Sequence, residues 1–147
     1  EGKKTSLFRP RIILYATILA SVTIALIFAI LNRVPLELDI IRDRNALYRE
    51  VNGGLVENIY NLRIINMSNT KRRYRLEASG LEGLILINPK GDFEVDSGEV
   101  YQLNVQIRLD PVVLKRPSNE IFFSLESIDS EHIKIREKAR FIGPVIR

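Results

Sequence analysis

Twenty consecutive residues, Ile12 to Leu31, read IILYATILASVTIALIFAIL and carry no charge. As a helix rising ~1.5 Å per residue they span about 30 Å, the thickness of a bilayer's hydrocarbon core. Twelve of the twenty are Leu, Ile, Val or Phe. Each such side chain favours insertion by roughly 0.3–0.6 kcal/mol at mid-helix, about 4–7 kcal/mol together. Only Thr17, Ser21 and Thr23 oppose this, and weakly. A buried core helix would be shorter and punctuated by polar residues. A cleaved signal peptide fits poorly, because the run is too long and no small-residue cleavage site follows it. Residues 12–31 are therefore read as one transmembrane helix.

The flanks orient it. Lys3, Lys4, Arg9 and Arg11 precede the helix, and Arg33, Glu37 and Asp39 follow it. Positive residues stay in the cytoplasm, so residues 1–11 are expected as a cytoplasmic basic linker and the chain beyond Arg33 outside. The net charge of +4 is read as topology. The cations form no long stripe of the kind that binds nucleic acid. Thr17, Ser21, Ala25 and Ala29 recur every four residues, a ridge of small side chains that lets helices approach closely in lipid. Either the ridge packs on another helix or it is the accident of an Ala-containing sequence.

After Pro35 the period changes to two. In EVYQLNVQIRLD, Leu103, Val105, Ile107 and Leu109 alternate with Asn104, Gln106 and Arg108, the mark of a strand with one dry and one wet face. Similar runs lie at Leu36–Ile40, Tyr60–Ile64, Tyr74–Ala78, Leu84–Ile87, Ile121–Leu125, Ile133–Ile135 and Ala139–Phe141. Turn signals such as Asn52-Gly53-Gly54, Asn88-Pro89 and Ser97-Gly98 separate them. The expected fold is all-β: an immunoglobulin-like antiparallel sandwich of about seven or eight strands over residues 36–143. Residues 32–35 join it to the helix, and 144–147 form a tail. The Cys…Trp…Cys hallmark of true immunoglobulin domains is absent.

Chemistry is sparse. With no Cys and a single His, the chain holds no disulfide, no Cys-ligated zinc and no iron–sulfur cluster of its own. His132 reads as a turn residue, and Met67 alone is too little for copper. Glu94, Asp96 and Glu99 lack the spacing of a calcium loop and read as a solvated edge. No nucleophile elbow or phosphate loop occurs. No catalytic residue, cofactor, metal ligand or small-molecule substrate is therefore assigned. One stretch, DIIRDRNALYRE, stands out. Arg42, Asp43, Arg44, Asn45 and Tyr48 are either a charged loop leaving the first strand or a partner-docking surface, since Arg and Tyr favour interfaces.

RDRNALYR after a transmembrane helix and PLELD resembles the cytochrome c oxidase accessory protein family, called FixG or CcoG. So do EGKKTSLFRPR, VENIYNLRIIN, PSNEIFFSLES and ARFIGP, with RDRN and FIGP the more specific blocks. The resemblance implies a bacterial inner-membrane protein with ferredoxin-type iron–sulfur clusters, a last transmembrane helix and an immunoglobulin-like domain in the periplasm. It also implies a role in maturing a haem–copper oxidase, with copper reduction the activity ascribed to the parent. Glu1 would then be internal to that parent. The cluster ligands are absent from this chain, so what carries over is a membrane-anchored interaction domain. Its expected partners are other helices of the parent or an oxidase-assembly protein. The alternative is a stand-alone single-pass protein with a structural or adhesive domain.

Overall fold

The computed structural model describes residues 9–43, 47–51, 53–130 and 133–144. The chain divides into two compact units, one ending at Arg33 and one beginning at Val34. The first is the helix α1 (Pro10–Leu31), opened by a proline at its first position, where a missing N–H costs nothing. It ends where Asn32 donates its side-chain amide to the Phe28 carbonyl, 2.8 Å. All its residues are exposed. Among the described residues it is the one helix long and apolar enough to cross a membrane, with a mean hydropathy of 2.5.

The second unit is a two-layer antiparallel sandwich. Its strands are β1 (Leu36–Arg42), β2 (Arg49–Val51), β3 (Leu55–Asn66), β4 (Arg72–Ser79), β5 (Ile85–Asn88), β6 (Phe93–Val95), β7 (Val100–Leu109), β8 (Ser118–Ser127) and β9 (Lys134–Ile142). One sheet runs β1-β3-β7-β5, with β2 also paired to β3; the other runs β6-β4-β8-β9. Described strands number nine, not seven or eight. The additions, β2 and β6, have three residues each, too few to display a period. β1 and β2 share one edge of β3: β1 pairs with Tyr60–Asn66 and β2 with Leu55–Glu57.

The alternating runs become the core. Leu103, Val105, Ile107 and Leu109 on β7 face Ile121, Phe123 and Leu125 on β8, and all are buried. Each such side chain contributes about 1.5–3 kcal/mol relative to exposure. Tyr60 meets Phe123 edge to face, with ring centroids 5.1 Å apart, the arrangement that aligns a ring's positive edge with its neighbour's negative face. Asn66 is wholly buried yet satisfied, because its amide donates to the Thr70 and Val95 carbonyls at 2.9 and 3.0 Å. Gly80 sits at φ +116°, and a Cβ there would lie 3.0 Å from the Glu120 carbonyl oxygen. Only glycine fits both conditions.

Charge is partitioned. Residues 36–143 hold 16 Lys and Arg against 17 Asp and Glu, whereas residues 1–35 hold five against one. The outer face of the β8–β9 pair is rich in ions: Lys134, Arg136, Lys138 and Arg140 alternate along β9 opposite Glu126, Ser124, Phe122 and Glu120. Lys134 pairs with Glu126 at 3.0 Å, and Arg136 lies over the Phe122 ring, 4.1 Å from its centroid. Charged side chains on an edge strand discourage pairing with other chains.

Candidate docking site

The stretch singled out by its arginines and tyrosine is an excursion in the edge of the first sheet. β1 ends at Arg42, and β2 rejoins β3 at Glu57. The departure is pinned where the Asp43 N–H donates to the Ile59 carbonyl, 2.9 Å. Arg42 donates Nη1 to the Leu47 carbonyl at 3.0 Å. Tyr48 is half-buried and packs on the core, while Leu47 beside it is 66% exposed. Arg44 and Asn45 lie outside the described residues. A cavity of about 10 Å³ at this edge, lined by Arg42, Tyr48, Glu57 and Asn58 among others, has room for about one water.

Three neighbouring β3 side chains take polar groups out of water, Asn58 and Tyr60 on the inner face and Glu57 on the outer one. Glu57 is buried and accepts from Arg108 Nε at 2.8 Å. Asn58, also buried, donates its amide to the Ile142 carbonyl at 2.7 Å and accepts from the Ile142 N–H at 3.0 Å. Tyr60 donates its hydroxyl to the Arg140 carbonyl, 3.0 Å. Burial raises the Tyr60 phenol above its ordinary range, and the nearby Arg42 guanidinium works against that shift.

The FIGP block packs on β3, the strand that also pairs with Arg42. Phe141 is fully buried, Ile142 is held by Asn58, and Gly143 lies where a Cβ would stand 2.5 Å from Leu114 Cδ1 and 3.2 Å from Val56 Cγ1. Its N–H donates to the Pro117 carbonyl at 3.1 Å. Arg42 pairs in register with Tyr60, and a groove of about 360 Å³ is lined by Ile40, Ile41, Arg42, Ala139 and Arg140. Two segments a hundred residues apart are thus joined through β3. Sequence reasoning singled out Arg42, Asp43 and Tyr48, which the structure places at this edge. It missed Asn58 and Glu57, whose partners lie 84 and 51 residues away.

The other singled-out residues lie elsewhere. Thr17 and Ser21 donate their hydroxyls to the Ile13 and Thr17 carbonyls, both at 2.8 Å, leaving Ala25, Ala29 and the whole ridge exposed. Glu94 and Asp96 both hold Lys71, at 2.9 and 3.4 Å, and Glu99 accepts from the Asp96 N–H at 2.8 Å. His132 lies outside the described residues. Among the described residues no group of three or more His, Cys, Asp or Glu could hold a metal.

With that geometry in place, comparisons converge. Residues 26–144 match the family described as the IG-like fold at the C-terminal of FixG. The same description proposes an oxidoreductase role for FixG itself. Protein RdxA of Cereibacter sphaeroides is 42% identical over 78 residues, covering 53% of this chain and 17% of RdxA. Nitrogen fixation protein FixG of Rhizobium meliloti is 35% identical over 74 residues, 50% of this chain and 14% of that protein. The chain thus spans only a small part of the curated relatives it matches. The crystal structure of a FixG-related protein from Vibrio parahaemolyticus superposes with a TM-score of 0.65 at 33% identity. That match covers 74% of this chain and 95% of the other.

Proposed function

The chain belongs to the family of FixG C-terminal immunoglobulin-like domains, and from that premise we propose that it is a membrane-anchored, exported interaction module of an oxidase-assembly protein. α1 is the anchor, with the basic residues before it in the cytoplasm and the sandwich in the periplasm of a bacterial inner membrane. The ridge of Thr17, Ser21, Ala25 and Ala29 packs against a neighbouring helix. Electron transfer and iron–sulfur clusters belong to the rest of the parent protein, because this chain has no cysteine.

The reading is carried by Arg42 and Tyr48, which stand together at the edge of the first sheet. Arg42 donates to the Leu47 carbonyl, and Tyr48 packs on the core. These contacts hold Arg42, Leu47 and Tyr48 in place before a partner arrives, which lowers their ordering cost on binding. The proposal assigns this surface to contact with a protein of oxidase assembly. Replacing Arg42 and Arg44 by Ala in the full-length parent is the test. Normal amounts of parent protein with lowered oxidase are expected; unchanged oxidase overturns the assignment.

A further inference from the structure

The two outer faces of the sandwich differ in kind. No lysine occurs in any strand of the β1-β3-β7-β5 sheet or in β2. Its outer centre is built from Ile41, Ile59, Asn61, Gln102, Asn104 and Gln106 around a single arginine, Arg63, which pairs in register with Gln102 on one side and Asp39 on the other. The amides are already ordered: Asn104 donates Nδ2 to Asn61 Oδ1 at 2.9 Å, and Asn88 donates to the Asn104 carbonyl at 2.7 Å. Ile41 is 54% exposed beside a shallow groove of about 420 Å³ lined by Asn61, Arg63, Gln102 and Asn104 among others. An amide-rich and partly aliphatic centre that holds no lysine and a single arginine has the composition of a covered interface rather than a solvated face.

We propose that this face pairs with the same face of a second copy of the chain. Each amide both donates and accepts, so the surface is complementary to itself across a two-fold axis. A row of one sign of charge, such as Lys134 to Arg140, is not. Within the same face, Asp39 and Arg63 stand 4.0 Å apart and half exposed, so a two-fold copy offers each sign its opposite. Area fixes the setting. Four strands ~4.8 Å apart and about seven residues long give a flat patch of about 450 Å², roughly half of the ~800 Å² per partner of a standard interface. That is too small to hold free domains together. It suffices for chains held in one bilayer, where anchoring raises the effective concentration. The inference therefore rests on the anchor reading above.

The chain has no cysteine, so single thiols report cleanly. N104C marks the proposed face and E77C the opposite one; both positions are exposed. The full chain is reconstituted in neutral phospholipid vesicles, and a short bis-maleimide is added. N104C is expected to give at least about tenfold more linked dimer than E77C, and to lose it on dilution into detergent. Sedimentation with vesicles and a wild-type β spectrum, but equal or no linking at the two positions, overturns the pairing alone. A chain that fails to sediment overturns the anchor reading and this one with it. In whole cells, an N104C thiol linked to a different protein makes that protein the occupant and also overturns it.

Discussion

Asn58 supplies both hydrogen bonds of Ile142, accepting from its N–H at 3.0 Å and donating to its carbonyl at 2.7 Å. A side-chain amide from one sheet so replaces a missing strand on the edge of the other. Asn58→Leu leaves both Ile142 groups unsatisfied and is expected to cost about 2–4 kcal/mol. Asn58→Asp is expected to cost a similar amount, because a carboxylate cannot donate to the Ile142 carbonyl. A chemical denaturation midpoint lowered with unchanged slope is the readout; a wild-type midpoint for either variant refutes the role.

Gly143→Ala is expected to destabilise by about 1–3 kcal/mol, because the new methyl meets a packed core. The first atom it meets is Leu114 Cδ1 at 2.5 Å, with Val56 Cγ1 next at 3.2 Å. Adding Leu114→Ala to that variant should cost less than Leu114→Ala costs alone. Strict additivity in the double-mutant cycle contradicts the contact.

The Glu57–Arg108 pair is lopsided: the side chains are 7% and 34% exposed. Arg108→Ala strands a buried carboxylate and is expected to cost about 2–4 kcal/mol, more than Glu57→Ala, after which Arg108 turns to water. Equal losses by denaturation contradict this asymmetry.

Stability should fall at both ends of the pH scale. A hydrogen bond from the Arg75 side chain holds the Asp92 carboxyl below its ordinary 3.8, and the backbone N–H of Arg73 does the same for Asp129. Unfolded carboxyls protonate first, so this stabilisation is full above pH 3.8 and fades as pH drops through the native values. Burial raises the Tyr60 and Tyr74 phenols above 10.0. Unfolded phenols ionise first there, so stability fades as pH rises past 10.0. Asp129→Asn should flatten the acid limb. Tyr74→Phe should flatten the alkaline limb at no cost near neutrality, since its buried hydroxyl has no partner among the described residues. A midpoint that ignores pH in these variants and in the wild type alike contradicts the assignment.

The fold was legible wherever one face of a strand is dry. β7 alternates over ten residues, and its pattern names its own buried side. β3 was read only from Tyr60 because Glu57 and Asn58 look like solvent residues. They are buried only because Arg108 and Ile142 come to them, and no local pattern announces a partner that distant. β2 and β6 hide for a simpler reason, being three residues long. At the candidate site, composition pointed to Arg42 and Tyr48. It gave no hint that Gly143 is small because Leu114 and Val56 leave it no space.

The chain enters the sandwich at Leu36, paired with Asn66, and leaves it at Ile142, bound to Asn58. Those β3 residues are eight apart, about 26 Å along the strand. Tension applied between entry and exit would load the β1–β3 ladder lengthwise, straining its rungs together instead of peeling them one by one. The sandwich is thereby arranged to bear shear along β3.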